Sequence, residues 1–308
     1  MINFRYHIVS LMAVFLALAV GIGVGVSLSP SVSEGLNQQA AQDRKQVTEL
    51  RTELDRVNAL DQYREAWAQR TGEQVAANAL SGVAVALVSM PDAPTGVVQA
   101  LGDAVQKAGG TVVRTVKIDE SVYDATRADQ VNAALAPFTE QVGLTDAMTP
   151  ATRFGHVLSW SIAAKAPQGR DDRAVVMGDA LQSAGLATLS KDSNRQAELV
   201  VVVTATTADP QTVPEVLQAH VQTDVGLLVH AGGVVVAGPD SDDITGTDVL
   251  AVRSDGDAND VLSTVDVADL PSGVTTTVLA GQEQLLGRQG HYGALSRADA
   301  PLPTLPVR

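Results

Sequence analysis

The chain opens with an unbroken run of apolar and small residues. Residues 8–28 read IVSLMAVFLALAVGIGVGVSL and carry no charged side chain. As an α-helix rising about 1.5 Å per residue, the run would extend roughly 32 Å, the thickness of a bilayer's hydrocarbon core. It predicts one membrane-spanning helix. The alternative is a cleaved signal peptide, but secretory apolar regions are usually about 7–15 residues long, and Pro30 directly follows the best cleavage pair, Ser27 and Ser29.

Small residues recur on one face of this predicted helix. Ala17, Gly21 and Gly25 are spaced four residues apart. Small residues at this spacing let two helix backbones approach closely in lipid. The face therefore predicts a contact with a second membrane helix, from the same or another protein. The alternative is that glycine is simply common in membrane helices.

A polar, helix-forming segment at 34–71 carries a narrow apolar stripe. Val47, Leu50, Leu54 and Val57 follow the 3-4-3 spacing of a coiled-coil seam. The same register places three charged residues at seam positions beyond this stripe, namely Asp43, Asp61 and Arg64. The clean seam is therefore about two heptads long. We predict a juxtamembrane coiled-coil stalk that pairs with itself or with another protein. The alternative is an amphipathic helix packed on its own body domain.

Beyond residue 82, short apolar runs alternate with segments of helical spacing. The apolar runs predict buried strands, at 83–88, 111–118, 199–203, 234–237 and 261–267. The helical spacing predicts helices at 97–108, 128–142, 151–164, 172–184, 213–228 and 273–286. Strand–helix–strand order with short connections is typical of a parallel sheet. We predict an α/β fold, a Rossmann-like three-layer sandwich with about five mainly parallel strands.

The basic residues near the anchor predict its orientation. Arg5 precedes the apolar run, and Arg44 is the first Lys or Arg after it. Positive charge favours the cytoplasmic side, so we expect a cell-membrane protein with a cytoplasmic N-terminus and an extracytoplasmic body. The predicted order is 1–7 cytoplasmic N-terminus, 8–28 transmembrane helix, 34–71 coiled-coil stalk, 82–297 α/β domain and 298–308 proline-rich tail.

Composition narrows the possible partners and chemistry. The 308 residues carry a net charge of −14, which argues against a nucleic-acid partner and leaves the bilayer contact to the one helix. Hydrophobic residues make up 45% of the chain but aromatic residues only 3%, so the core must consist mainly of Val, Leu and Ala. The absence of cysteine excludes disulfides, thiolate metal sites and cysteine nucleophiles.

No motif in the chain indicates catalysis or a bound cofactor. The loop 89–96 lacks the glycine spacing and lysine that cradle phosphate, and no pair of the five histidines has metal-ligand spacing. Two loops are acidic, one with Asp240, Asp242 and Asp243, the other with Asp255, Asp257, Asn259 and Asp266. The second partly resembles a calcium loop, but Asp260 stands where glycine is needed. We predict solvated turns, with no catalytic, cofactor-binding or metal-binding residue and no enzymatic activity.

Two blocks of sequence resemble the actinobacterial MctB/SteB family. The first runs from Arg5 to Gly25. The second is Leu262-Ser-Thr-Val-Asp266, followed by Gly273 and by Gly290-His-Tyr-Gly293. The order of anchor, stalk and α/β body agrees over nearly the full length. The resemblance implies two competing functions. Mycobacterial members are named copper transporters with a proposed outer-membrane channel role, and corynebacterial members act with a partner, SteA, in cell separation and control of septal wall hydrolysis.

The sequence favours the second function. A copper site prefers Cys, Met or His, whereas this chain has no Cys and its five Met are scattered. An outer-membrane pore needs strands that alternate apolar and polar residues, but 199–203 and 234–237 are uniformly apolar. We therefore predict a non-catalytic envelope scaffold that assembles with itself or a SteA-like partner through residues Ala17, Gly21, Gly25, Val47, Leu50, Leu54 and Val57. The alternative is copper homeostasis or efflux, with copper as the ligand.

Overall fold

A computed structural model describes residues 4–27, 30–190, 193–205, 214–239, 246–295 and 297–304. The chain divides into two compact units, residues 1–64 and 65–308. The predicted domain limits remain predictions.

The described residues of the first unit form helices. Helix α1 spans Phe4–Ser27, and helix α2 spans Pro30–Val75, of which the part up to Arg64 belongs to this unit. Residues Tyr6–Gly25 have a mean hydropathy of 2.5 and none is buried, so α1 is long and apolar enough to cross a membrane. Three ion pairs between residues three or four apart support the exposed α2, namely Lys45–Glu49, Glu53–Arg56 and Asp61–Arg64. The predicted stalk is thus helical, and its pairing as a coiled coil stays a prediction.

The second unit is an α/β body. Its strands are β1 (Ala84–Ser89), β2 (Thr111–Ile118), β3 (Ala187–Ser190), β4 (Leu199–Val203), β5 (Gly233–Ala237), β6 (Ser263–Val265) and β7 (His291–Tyr292). Its helices are α3 (Thr95–Lys107), α4 (Ala128–Leu135), α5 (Thr139–Val142), α6 (Pro150–Ile162), α7 (Asp172–Ser183), α8 (Pro214–Leu227), α9 (Asp248–Ser254) and α10 (Pro271–Leu285). Short 3₁₀ turns lie at Glu120–Val122, Ala125–Arg127 and Ala136–Phe138.

The strands form one sheet in the order β3-β2-β1-β4-β5-β6-β7. The pairing of β2 with β3 is antiparallel, and the other described pairings are parallel. Every residue of β4 and β5 is buried, because helices cover both faces of the sheet. One face packs its apolar side chains against α6 and α8, the other against α3 and α10. This arrangement confirms the predicted three-layer α/β fold.

The described residues form a sheet of seven strands rather than about five. The sequence missed β3, whose half-exposed ATLS has no apolar run, and β7, which is only two residues long. The predicted helix at 128–142 is interrupted by the turn at Ala136–Phe138, which contains Pro137. Helix α9 was also not predicted. Of the tail, the described Ala300 bridges to Tyr292, and residues 305–308 lie outside the described part.

Candidate functional site

The four predicted seam residues of α2 are all exposed. Val47, Leu50, Leu54 and Val57 retain 46%, 62%, 58% and 42% of their accessible surface. The ion pairs Lys45–Glu49, Glu53–Arg56 and Asp61–Arg64 lie within the helix itself. The structure therefore presents an apolar stripe that packs against no other described residue of its own unit. A contiguous exposed apolar surface of this kind is typical of a protein–protein contact.

The small-residue face of α1 is open. A Cβ built on Gly21 or Gly25 would meet nothing within 4 Å, and Ala17 is exposed. The structure therefore leaves room for another helix against this face.

The body offers a second candidate site at the carboxyl ends of its central strands. The chain runs from β1 outward to β2 and later returns to form β4 on the other side of β1, so the strand order reverses between β1 and β4. Ligands of open α/β sheets bind at such a point. Met90 follows β1 there, is 1% exposed, and donates its backbone N–H to the Val203 carbonyl at 2.9 Å. The loop 89–96 is otherwise a strand–helix connection.

A buried polar cluster adjoins Met90. The Tyr123 hydroxyl lies 3.3 Å from the Met90 Sδ, and the Tyr123 and His220 rings meet edge-on with centroids 4.1 Å apart. The His220 Nδ1 lies 2.6 Å from Asp248 Oδ1. Asp224, one turn after His220 on α8, is completely buried, and neither of its carboxyl oxygens has a hydrogen-bond partner among the described residues. Desolvation therefore raises the pKa of Asp224 well above its usual range, and the Asp248 carboxylate raises it further.

Asp224→Asn is expected to stabilise the body at neutral and alkaline pH. Since the folded state raises the pKa of Asp224, its stability contribution is complete below the unfolded pKa of about 3.9 and is lost as the pH rises through the folded pKa. We expect a smaller fall in Tm between pH 5 and pH 8 for this variant than for the wild type. Thermal unfolding followed by circular dichroism measures it, with the exposed Asp257→Asn as the control. The same fall in Tm for the variant and the wild type would mean that Asp224 is already ionised in the folded protein at pH 5 and would contradict the raised pKa.

Asp266 belongs to a different buried network and not to a solvated acidic turn. Arg253 donates to Asp266 Oδ2 at 2.7 Å, to Thr264 Oγ1 at 2.8 Å and to the Tyr292 carbonyl at 2.8 Å. Asp266 in turn accepts the backbone N–H groups of Ala294 and Leu295 at 2.8 and 3.2 Å. The network fixes the chain that follows β7 against the end of β6.

Asp255 lies in a turn, as the sequence suggested. Asp255 accepts the backbone N–H groups of Asp257 and Ala258 and the side-chain amide of Gln218. The loop with Asp240, Asp242 and Asp243 lies outside the described residues. Within the described part, no group of three or more His, Asp or Glu side chains could hold a metal ion.

Sequence reasoning missed the cluster around Tyr123 and the network around Arg253. One signal was available: His220 and Asp224 stand four residues apart on a helix that is otherwise buried on that side. The residues that join them, Met90, Tyr123 and Asp248, come from three distant segments, and only the fold brings them together.

These features define a membrane-associated α/β protein with one N-terminal apolar helix and a helical stalk segment. The chain belongs to the MctB family, because the family described as "Copper transport outer membrane protein, MctB" matches residues 1–303. The chain is similar to proteins named "Copper transporter MctB". Those of Mycobacterium tuberculosis and Mycobacterium bovis are 28% identical over 315 residues, covering 95% of this chain and 96% of each relative. The Mycobacterium leprae protein is 28% identical over 229 residues, covering 70% and 71%. The family membership confirms the resemblance noted in the sequence.

Proposed function

We propose that this chain acts in copper homeostasis at the cell envelope, as a non-enzymatic, membrane-anchored component of copper export. The observation that carries the proposal is the match to relatives named copper transporter over 95% of the chain. The match includes the anchor, the stalk and the body together. It favours the copper alternative over the cell-separation function preferred from the sequence. Copper is the cargo here, and we assign no resident metal to the body.

The described residues contain one helix that is long and apolar enough to cross a membrane, which limits how this component can contribute to transport. One helix cannot enclose a path for copper across a bilayer. Only several helices or a closed barrel can surround such a path, because every backbone group that faces lipid must be hydrogen-bonded within the protein. We therefore propose that the chain works within an assembly, with its body outside the membrane and its N-terminus in the cytoplasm. The exposed stripe on α2 and the open face of α1 support the assembly. The position of Arg5 before the apolar helix supports the orientation.

Copper content of cells tests the proposal. A mycobacterial strain lacking its own copper transporter MctB would receive the full chain or an empty vector and be grown in added copper. We expect the chain to lower cell copper, measured by inductively coupled plasma mass spectrometry, at least twofold and to restore growth. Zinc content serves as the control and should not change. Equal copper in both strains would overturn the proposal.

A second candidate function is a scaffold that binds a SteA-like membrane partner in cell separation. The exposed apolar stripe is the observation that favours it, because a hetero-partner helix would cover the same residues. A membrane pull-down with the stalk intact and with residues 34–71 deleted tests it. Recovery of such a partner only with the intact stalk would support this candidate.

A further inference from the structure

We propose that the body binds an organic cation, a small molecule with an apolar frame and one ammonium group, in a cavity beside Tyr123. This Tyr123 cavity has a volume of about 670 Å³, and all of its lining residues belong to the second compact unit. The inference goes beyond the copper proposal and does not depend on it.

The position of the Tyr123 cavity in the fold is the first observation. Its walls are residues 122–128, which follow β2, the start of α6 at 149–151, and the first turns of α8 at 215–222. Helix α8 follows β4, and β2 and β4 pair with β1 from its two sides. The cavity is therefore built from segments that follow the carboxyl ends of the central strands, the edge where open α/β sheets bind their ligands.

The size and lining of the cavity suit a small organic molecule. Ligand cavities commonly measure about 300–1,000 Å³ and are mostly apolar. Seven of the twelve lining residues are Val, Ala or Pro. The alanines among them, such as Ala128 and Ala219, leave the space open because their side chains are short. An apolar frame would remove this surface from water, and that burial favours binding.

Tyr123 forms a fixed aromatic wall. Its hydroxyl lies 3.3 Å from the Met90 Sδ, and its ring meets the His220 ring edge-on. His220 is itself held by Asp248 at 2.6 Å. The ring is thus in place before a ligand arrives, which lowers the entropy cost of binding.

The charge of the lining selects the class of ligand. Its charged members are Asp124 and Glu215, and the described residues of the lining include no Lys, Arg or His. Thr149 donates its hydroxyl to Gln222 Oε1 at 2.6 Å, so these two polar side chains bond each other. Carboxylates beside an aromatic ring attract an ammonium group and repel an anion. Both carboxylates are exposed, so their attraction is moderate and the apolar walls supply the rest.

Fluorine NMR of the detergent-solubilised full chain tests the site. The probe is 4-fluorophenethylamine, an ammonium ion at neutral pH, and 4-fluorophenethyl alcohol is the neutral molecule of similar shape. Ala219→Leu fills the cavity, and Ala133→Leu adds the same volume at an exposed position of α4. We expect the Kd of the amine to rise at least fivefold for Ala219→Leu and to stay unchanged for Ala133→Leu.

A second pair of variants tests the charge. Asp124→Asn with Glu215→Gln removes both carboxylates of the lining. Asp129→Asn with Glu140→Gln removes two exposed carboxylates outside it. We expect the first pair to weaken binding of the amine at least threefold without changing that of the alcohol, and the second pair to change neither.

Equal binding of the amine by the wild type and a folded Ala219→Leu would overturn the site. Circular dichroism checks the fold, and Ala128→Leu, on another wall, replaces Ala219→Leu if that variant unfolds. Alcohol bound as tightly as the amine would overturn the cationic class of ligand. Detergent takes up each probe equally in every variant, so differences between variants report the cavity. The assay contains no copper, so its failure leaves the copper proposal to its own test.

Discussion

Arg253→Met is expected to lower the free energy of unfolding by about 3–5 kcal/mol. The side chains of Arg253 and Asp266 are only 1% and 2% exposed and form an ion pair at 2.7 Å. Methionine keeps much of the volume but removes the charge, the bond to Thr264 and the bond to the Tyr292 carbonyl. Asp266 would remain as a buried carboxylate without its counter-ion. Urea unfolding of the detergent-solubilised chain, followed by tryptophan fluorescence, measures the loss.

An exposed ion pair provides the control for this prediction. Arg173 lies 3.2 Å from Asp171, with 63% of its side chain exposed. Arg173→Met should change the free energy of unfolding by less than about 1 kcal/mol. Equal effects of the two variants would mean that the buried network contributes no more than a surface pair.

Gly273→Ala is expected to destabilise the body by roughly 3 kcal/mol, the upper end of overpacking effects. Gly273 lies in the first turn of α10, where a built Cβ would overlap the Val267 carbonyl oxygen and approach the Ala268 nitrogen. Both are backbone atoms, so no side-chain rotation can relieve the overlap. The helix start must move away from the end of the β6 segment, and the same unfolding measurement detects the cost.

Gly256→Ala is the matched control for this glycine. A Cβ at Gly256 would meet nothing within 4 Å. Alanine also lowers the conformational entropy of the unfolded chain slightly. We expect a change of less than about 1 kcal/mol. If Gly273→Ala were equally well tolerated, the close approach of α10 to residues 267 and 268 would be wrong.

The central fold could be predicted because its strands are strongly patterned. Leu199–Val203 and Gly233–Ala237 are apolar on both faces, and only a sheet covered on two sides buries such runs completely. The strands at the two edges of the sheet, β3 and β7, were not predicted because neither has a strong apolar pattern. Ala187–Ser190 is partly exposed and His291–Tyr292 is too short to show any period. Their pairing is decided by tertiary contacts.

The candidate sites also differ in how far the sequence could predict them. The α2 stripe repeats along one helix, so spacing alone located Val47, Leu50, Leu54 and Val57. The cluster of Tyr123, His220, Asp224 and Asp248 has no local pattern, because its members are gathered from separate elements. Asp266 was misplaced because the sequence shows an acidic neighbourhood but not the buried Arg253 that faces it.

The central claim is that assembly through the α2 stripe supports copper export. It predicts that Leu50→Asp with Leu54→Asp will abolish the effect of the chain on cell copper, because two carboxylates per copy would oppose pairing. Thr52→Asp with Ala59→Asp adds the same charge at exposed outer positions of the same helix and serves as the control. Immunoblotting of membranes must show equal amounts of each variant.

Cell copper in the complemented strain is the decisive measurement. We expect the wild type and the outer-face variant to lower copper at least twofold, and the stripe variant to leave it at the level of the empty vector. A stripe variant that lowers copper as fully as the wild type would contradict the claim.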